Sequence, residues 1–312
     1  MLDQLDQLRN NFSLRQSQNL IRLAERRYRG AHKGSPKMSR SLAKMFERGR
    51  AASAALSSGL RIYAVGDIHG RMDLLDELAS LIQADLVDAP KETLTIFLGD
   101  YIDRGPGSYG ILERLSTGDF PTAFLALRGN HEEMALKFLE DESVLEGWRK
   151  FGGLETLHSY GLDVGDAMRG KGFGAAREKF VERLPHRHRA FLEETPLSAS
   201  YGDYFFCHAG VRPGVSFERQ TAEDLLWIRD DFLKFAGAHQ KFVVHGHSPV
   251  HVPDAKSNRI NLDTGAFATS LLTALVLENA DRRFLFAGNL RATSADFRFP
   301  THRQDAARAR AS

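Results

Sequence analysis

The sequence predicts an α/β protein with two packed β-sheets and a helical cap inserted between their strands, and three observations carry that expectation. Between Arg61 and Leu139, apolar runs of strand length alternate three times with stretches of helical periodicity. Between Asp141 and Thr195 the strand rhythm stops and helical spacing takes its place. Beyond Thr195, short apolar runs return at close intervals, which points to a second sheet laid on the first.

The ends of the chain are expected to lie outside that core. The whole chain of 312 residues has a formal net charge of +2, with 42% hydrophobic residues and 21 Phe, ample for a large core. Residues 1–57 carry twelve Lys and Arg against four Asp and Glu, and residues 289–312 carry five against two, so the stretch between is acidic. Leu2, Leu5, Leu8, Phe12, Leu20, Ile21 and Leu23 recur at near-helical spacing, which predicts a basic amphipathic helix. Gly30 to Gly59 reads as linker, with one helix around Leu42–Phe46. Such an extension can meet nucleic acid or an anionic membrane, but docking on the acidic middle of its own chain is the favoured expectation. The predicted organisation is therefore an extension and linker over 1–57, a domain over 58–288 with a cap at about 141–195, and a basic tail over 289–312. No run of 18 apolar residues and no secretory-type start occur, so neither spanning nor secretion is indicated and the cytoplasm is expected. The one Cys, Cys207, rules out an internal disulfide.

In order along the domain, RIYAVGDIHG is a strand ending in Gly66, Asp67 and His69, and Met72, Leu75, Leu78, Ala79 and Ile82 mark the helix after it. IFLGDYIDRG is a second strand, delivering Asp100, with Asp103 and Arg104 in its loop. A helix through Ile111–Leu115, a third strand TAFLALRGN ending at Asn130, and a helix from Glu132 to Leu139 complete three strand–helix units. Right-handed crossovers make these strands parallel, and open α/β sheets hold ligands at the carboxyl ends of their strands. One Gly-Asp after a strand is ordinarily a turn. Three strands ending in Gly66–Asp67, Gly99–Asp100 and Gly129–Asn130 place oxygen donors along one sheet edge.

The cap segments KFGGLETLHSYG and AAREKFVERLPHRHRAFLEET carry His158, His186 and His188 among charges, without an acidic or Cys partner at ligand spacing, so these read as surface histidines. After the cap come SASYG, DYFFCHAG ending in His208, KFVVHGHSPV with His245 and His247, RINLDTG with Asp263, LLTALVLE and RRFLFAG. Their close spacing suggests antiparallel pairing in the second sheet.

The candidate site gathers Asp67, His69, Asp100, Asn130, His208 and His247, with Asp103, Arg104, His131 and Arg229 nearby. Carboxylate, imidazole and amide oxygen suit manganese, iron or zinc rather than a thiolate metal. Only a carboxylate readily bridges two cations, and Asp100 is the one flanked by the rest. Two ions roughly 3.5–4 Å apart acidify a shared water and clamp phosphoryl oxygens for in-line attack.

The motifs GDIHG (66–70), GDYIDRG (99–105), GNHE (129–132), HAG (208–210) and HGHSP (245–249), with LLWIRD (225–230), resemble in order the blocks of the phosphoprotein phosphatase family, within the calcineurin-like metallophosphoesterases. The bacterial branch is most similar, and the resemblance covers about 61–276. It implies a four-layer α/β/β/α sandwich of two mixed sheets with a helical cap. It implies one metal on Asp67, His69 and Asp100 and a second on Asp100, Asn130, His208 and His247, two divalent ions in all, manganese before iron or zinc. His131 would protonate the leaving alkoxide, oriented by Asp103; Arg104 and Arg229 would clasp the phosphate, with Arg128 a weaker candidate. Glu132 reads as a helix cap, His245 as a supporting or core group, Cys207 and Trp227 as packing, and Asp263 as structural. Pro249 stands where many phosphodiesterases of the wider superfamily carry a further His, which leans toward phosphomonoesters.

The expected function is a dinuclear-metal phosphomonoesterase that dephosphorylates phosphoserine or phosphothreonine in proteins by direct attack of a metal-bridging hydroxide. The alternative is hydrolysis of dinucleoside polyphosphates or another small phosphate ester. A metal-stabilised, non-catalytic binding module recruited by its basic ends is a third reading, opposed by the presence of both His131 and Asp103.

Overall fold

In the computed structural model, which describes residues 54–288, β1 (Leu60–Val65) directs Ile62 and Ala64 to one face and Tyr63 and Val65 to the other, all four fully buried. A strand covered on both faces belongs inside a sheet with layers on either side. The parallel strands β2 (Glu92–Phe97) and β3 (Ala123–Ala126) extend the sheet on one flank of β1. Between them run α1 (Met72–Asp85), which buries Leu74, Leu75, Leu78, Ala79 and Ile82, and α2 (Ser108–Thr117), as the periodicity predicts. The helix after β3, α3 (Asn130–Glu140), starts two residues before its expected position, so Asn130 and His131 are its first residues.

The cap consists of α4 (Leu145–Trp148), α5 (Gly153–Ser159), α6 (Gly165–Met168), α7 (Phe173–Arg183) and α8 (His186–Glu194). It shares one apolar core with α1–α3, joined through Trp148, Phe138, Phe180 and Tyr160. Then follow β4 (Ser198–Tyr201), β5 (Tyr204–Cys207), the short helices α9 (Ala222–Trp227) and α10 (Asp230–Leu233), β6 (Phe242–His245), β7 (Asp254–Ala255) and β8 (Arg259–Asn261). The chain closes with α11 (Ala266–Thr269), β9 (Leu271–Glu278) and β10 (Asp281–Gly288).

Two strand assignments differ from expectation. LLTALVLE and RRFLFAG return to the first sheet, whose order is β10-β9-β1-β2-β3, with β9 antiparallel to β1. The cause lies in β9, which sends Leu275 and Leu277 into the core between the sheets and Leu272, Ala274 and Val276 toward the helices. It therefore needs an interior position, and the one beside β1 supplies it. The second sheet, β4-β5-β6-β8-β7, is antiparallel only at its edges; β5, β6 and β8 are parallel, because α9 and α10 provide a crossover between β5 and β6.

The two sheets and their outer helices make four layers, an α/β/β/α sandwich of two mixed sheets. Residues 54–57, placed in the linker by sequence, are part of it. Ala54 and Leu56 are buried in the core between the sheets, and the Leu56 N–H donates to the Asn279 carbonyl at 2.8 Å. The basic amphipathic segment and the tail over 289–312 lie outside the described residues. Among the described residues no helix is long and apolar enough to cross a membrane.

Candidate active site

Five strands, three from one sheet and two from the other, end at a common edge. β1 leads to Asp67 and His69, β2 to Asp100, β3 to Asn130, β5 to His208 and β6 to His247. The turns that carry these residues are tight. Seven non-glycine residues among those described have positive φ, and five of them are His69, Asp100, Asp103, Arg104 and His247. Each such residue costs on the order of 1 kcal/mol or more, a strain that persists where the surroundings over-determine it. Two glycines allow the close approach. A Cβ on Gly129 would lie 2.2 Å from Asp100 Oδ1, and one on Gly246 would lie 2.0 Å from Asp67 Oδ1.

Asp100 stands at the centre, 2% exposed. Its Oδ2 lies 3.5 Å from His69 Nε2 and 3.7 Å from His131 Nε2, while its Oδ1 lies 3.4 Å from His208 Nε2. His208 Nε2 and His247 Nδ1 each lie 2.8 Å from Asn130 Oδ1 and 3.2 Å from one another. Two donor groups result, His69–Asp100–His131 and Asp100–His208–His247, with Asp100 common to both. Asp67 stands outside both groups; its carboxylate accepts the His247 backbone N–H at 3.1 Å.

The hydrogen-bond partners test whether a cation fits. His69 Nδ1 lies 2.9 Å from the Ile102 carbonyl and His208 Nδ1 lies 3.0 Å from the Leu98 carbonyl. A carbonyl only accepts, so each Nδ1 carries the proton and each Nε2 of a neutral ring is a bare lone pair. Those lone pairs face the oxygens of Asp100 and Asn130. Burial above all lowers the pKa of both rings, that of His69 to about 3, which opposes relief by protonation. His247 Nε2 is buried without a partner. The His69 and His208 lone pairs, converging on oxygens with no hydrogen between them, are what a divalent cation satisfies, and a backbone carbonyl behind the imidazole is the usual support of a ligating His.

The carboxylates lead to the same conclusion. Burial, and then the negative charges of Asp263 and Asp100, hold Asp67 well above the usual carboxylate range. Asp263 is pushed up to about 6, chiefly by burial. Burial also acts to raise Asp100; positive charge on the imidazoles of His208, His131, His69 and His247 would offset it, and neutral rings leave that role to a cation. A cation at this edge relieves the repulsion among the three acids.

The remaining candidates flank the cluster. His131 Nδ1 lies 2.6 Å from Asp103 Oδ2, and Arg104 Nη2 lies 3.2 Å from His131 Nε2. Arg229 is exposed and donates to Ser248 Oγ at 3.3 Å, lining an open pocket of about 310 Å³ with Trp227 and Arg212. Arg128 does not join them. Its guanidinium is committed to Thr195 Oγ1, Glu133 and the carbonyls of Leu192 and Glu193, tying β3 to the cap. His245 packs edge-on to Phe232 behind the cluster, Cys207 is buried, and Asp263 accepts the Gly265 N–H at 2.9 Å to close its own loop. His188 is not a surface residue. It is fully buried, with Nδ1 2.7 Å from the Tyr160 hydroxyl and Nε2 2.9 Å from Glu113 Oε2.

Three residues near the site have roles that go beyond the sequence reading. Glu132 is more than a helix cap. Its carboxylate accepts the N–H groups of Gly129 at 2.9 Å, Asp100 at 2.8 Å, Tyr101 at 2.8 Å and Ile102 at 3.3 Å, so it fixes the loop that presents Asp100. Burial pushes its pKa up to about 7, against those donors. Trp148 and Thr156 reach from the cap to Asp103. A GNHE motif anticipates the first of these bonds; nothing local anticipates the other two.

A family model of calcineurin-like phosphoesterases matches residues 60–269. Serine/threonine-protein phosphatase 2 of Escherichia coli K12 is 30% identical over 216 residues, covering 66% of this chain and 87% of that protein. The asymmetrical bis(5'-nucleosyl)-tetraphosphatase PrpE of Anoxybacillus flavithermus is 27% identical over 232 residues, covering 68% and 88%. A crystal structure provisionally assigned as a diadenosine tetraphosphatase shares the fold, with a TM-score of 0.51 at 18% identity over 76% of this chain and 99% of that one. With a family match over most of the described residues and a donor cluster built for divalent metal at their strand ends, the chain belongs to the calcineurin-like phosphoesterase family.

Proposed function

We propose that this protein is a dinuclear-metal phosphomonoesterase whose first substrate class is phosphoserine and phosphothreonine in proteins. Asp67, His69 and Asp100 would hold one ion and Asp100, Asn130, His208 and His247 the other, with manganese the first choice and iron or zinc the alternatives. When bound, a pair of divalent ions supplies Lewis acidity at the phosphoryl oxygens and an acidified water. The chain supplies the rest. Burial works against protonation of His131, but Asp100 and then Asp103 raise its pKa above the ordinary imidazole value, which favours a proton on the ring. Asp103 holds the ring by Nδ1 and leaves Nε2 to give that proton to the leaving alkoxide. Arg104 and Arg229 offer guanidinium forks to the phosphate oxygens.

The observation that carries this reading is the buried His131–Asp103 pair beside the ligand cluster. A binding module needs the cluster at most, and has no use for an oriented proton donor. Dinucleoside polyphosphate hydrolysis is the second reading, and one observation favours it. Phe151 and Phe267 are 46% and 39% exposed at the rim, Phe151 edge-on to His131, Phe267 edge-on to His69 and beneath the Arg104 guanidinium. Exposed rings on the leaving-group side offer a nucleobase a stacking face. The tetraphosphatase-named relative also matches at nearly the identity of the phosphatase-named one.

The test is a comparison of kcat/KM by the manganese-reconstituted protein on phosphoserine and phosphothreonine peptides and on diadenosine tetraphosphate. At least about tenfold preference for the peptides is expected, a margin of roughly 1.4 kcal/mol in transition-state binding. The reverse order puts the second reading in place of the first, and no metal-dependent turnover on either rejects both.

A further inference from the structure

Asp103 is fully buried in a left-handed backbone conformation, and its polar atoms are met from the cap as well as from its own loop. Its N–H donates to Thr156 Oγ1 at 2.9 Å and to Ser108 Oγ at 3.0 Å. Oδ1 accepts the Thr156 hydroxyl at 2.5 Å. Oδ2 accepts the Trp148 indole N–H at 2.5 Å and lies 2.6 Å from His131 Nδ1. The indole is fully buried between Phe138 on α3 and Phe180 on α7, at ring distances of 5.3 and 6.2 Å. Gly153 leaves it room, since a Cβ there would lie 2.5 Å from the ring. Trp148 thus pins together the helix that begins with Asn130 and His131, the cap, and the loop of Asp103.

We infer that Trp148 and Thr156 are positioning residues for the proton donor, so that a docked cap is a condition for protonating the leaving group. The inference rests on the reading of His131 as that donor. A carboxylate held only by an imidazole is free to rotate about its Cβ–Cγ bond and to carry the ring with it. Three donors on two oxygens leave it one orientation. The cap contributes two of the three, and none of the six candidate metal ligands lies within residues 141–195. Loosening the cap contacts therefore disables proton delivery while sparing the metal cluster. The defect falls on esters whose leaving group needs a proton.

The experiment uses the full chain loaded with manganese. Trp148→Phe removes the indole N–H and keeps an aromatic ring, Thr156→Val removes the hydroxyl and keeps the branched shape, and Thr156→Ser restores the hydroxyl. For a phosphoserine peptide, kcat should fall about 10- to 100-fold in Trp148→Phe and Thr156→Val with little change in KM, a share of the 10²–10⁴ that a positioned general acid supplies. For 4-nitrophenyl phosphate, whose leaving group needs almost no proton, the loss should be at least about tenfold smaller. Thr156→Ser should stay within about threefold of the parent, metal content should hold, and neither change should cost more once His131→Asn is present. If Trp148→Phe does not fold, the Thr156 pair carries the test. Equal losses on both esters, or losses that add to His131→Asn, overturn the proposal. If His131→Asn itself lowers both esters equally, the donor reading fails and takes this inference with it.

Discussion

The metal cluster and the cap network lie either side of His131, and they treat their polar atoms in opposite ways. Around Asp103 every oxygen is met by a hydrogen, from Thr156, Trp148 and His131. Around Asp100 the bare Nε2 atoms of His69 and His208 face its oxygens at 3.5 and 3.4 Å with no hydrogen between them. The first arrangement is complete as it stands. The second is held open by strained turns and glycine contacts, and is of the kind that a divalent cation satisfies. The difference predicts how each responds when an atom is changed: a complete network loses stability, whereas an incomplete cluster loses its ligand.

The largest expected effect is therefore Asp100→Asn. An outer-shell partner alone is typically worth 10- to 100-fold in metal affinity, so loss of the carboxylate common to both donor groups should exceed about 100-fold and take turnover with it. The metal-free variant should unfold within a few degrees of the metal-free parent, because asparagine can still accept the His131 N–H and the lost charge relieves Asp67 and Asp263. Metal content by elemental analysis and a melting curve in chelator check both halves. An apo form that melts several degrees lower would place Asp100 with the satisfied groups and break the comparison.

Glu132→Gln tests the opposite class. Glutamine keeps the shape but turns one of the two acceptor oxygens into a donor, aimed at backbone N–H groups that are already donors. A buried group left unmatched in this way costs about 1–3 kcal/mol. Urea unfolding should show a lower midpoint at an unchanged slope. A variant as stable as the parent would mean that the Asp100 loop is held by its own turn rather than by Glu132.

The same division explains what the sequence could disclose. Metal candidates sit immediately after apolar strands, as Gly66–Asp67, Gly99–Asp100 and Gly129–Asn130, because a ligand at a strand end is a local arrangement of neighbouring residues. Asp103 meets Trp148 and Thr156 across 45 and 53 positions of chain, and no periodicity or spacing encodes such a pairing. His188 failed as a surface histidine for a similar reason: its neighbours in sequence are charged, and its partners Tyr160 and Glu113 are 28 and 75 residues away. For the strands, alternation announced that β9 and β10 exist, but only burial on both faces of β9 decided which sheet they join.

His188 offers the smallest effect and a second view of a complete network. With a neutral ring, Nε2–H donates to Glu113 and Nδ1 accepts the Tyr160 hydroxyl, so both nitrogens are satisfied. Tyr109 and Tyr160 pack against its ring, and Arg187 shares the Glu113 carboxylate. Burial lowers its pKa, Glu113 works against that, Arg187 adds to it, and the net direction is below the free imidazole value. Above pH of about 6.5 the ring is neutral folded or unfolded and contributes no pH dependence. As the pH falls below that, the unfolded chain takes up a proton that the folded state resists, so stability declines until the folded pKa is passed. Protonation also sets a second N–H against the Tyr160 hydroxyl, which must then stop donating. His245 and His239, lowered to about 3 and about 4 mainly by burial, add the same sign, so only a difference between proteins isolates His188. Urea unfolding at pH 7.5 and 5.5 should therefore cost the parent more stability than it costs His188→Gln, with a slope no steeper than about 1.4 kcal/mol per pH unit for one proton. Equal losses in the two proteins would show that the Tyr160–His188–Glu113 chain accepts the charge without penalty, and that the cap is not complete in the sense that the surroundings of Asp103 are.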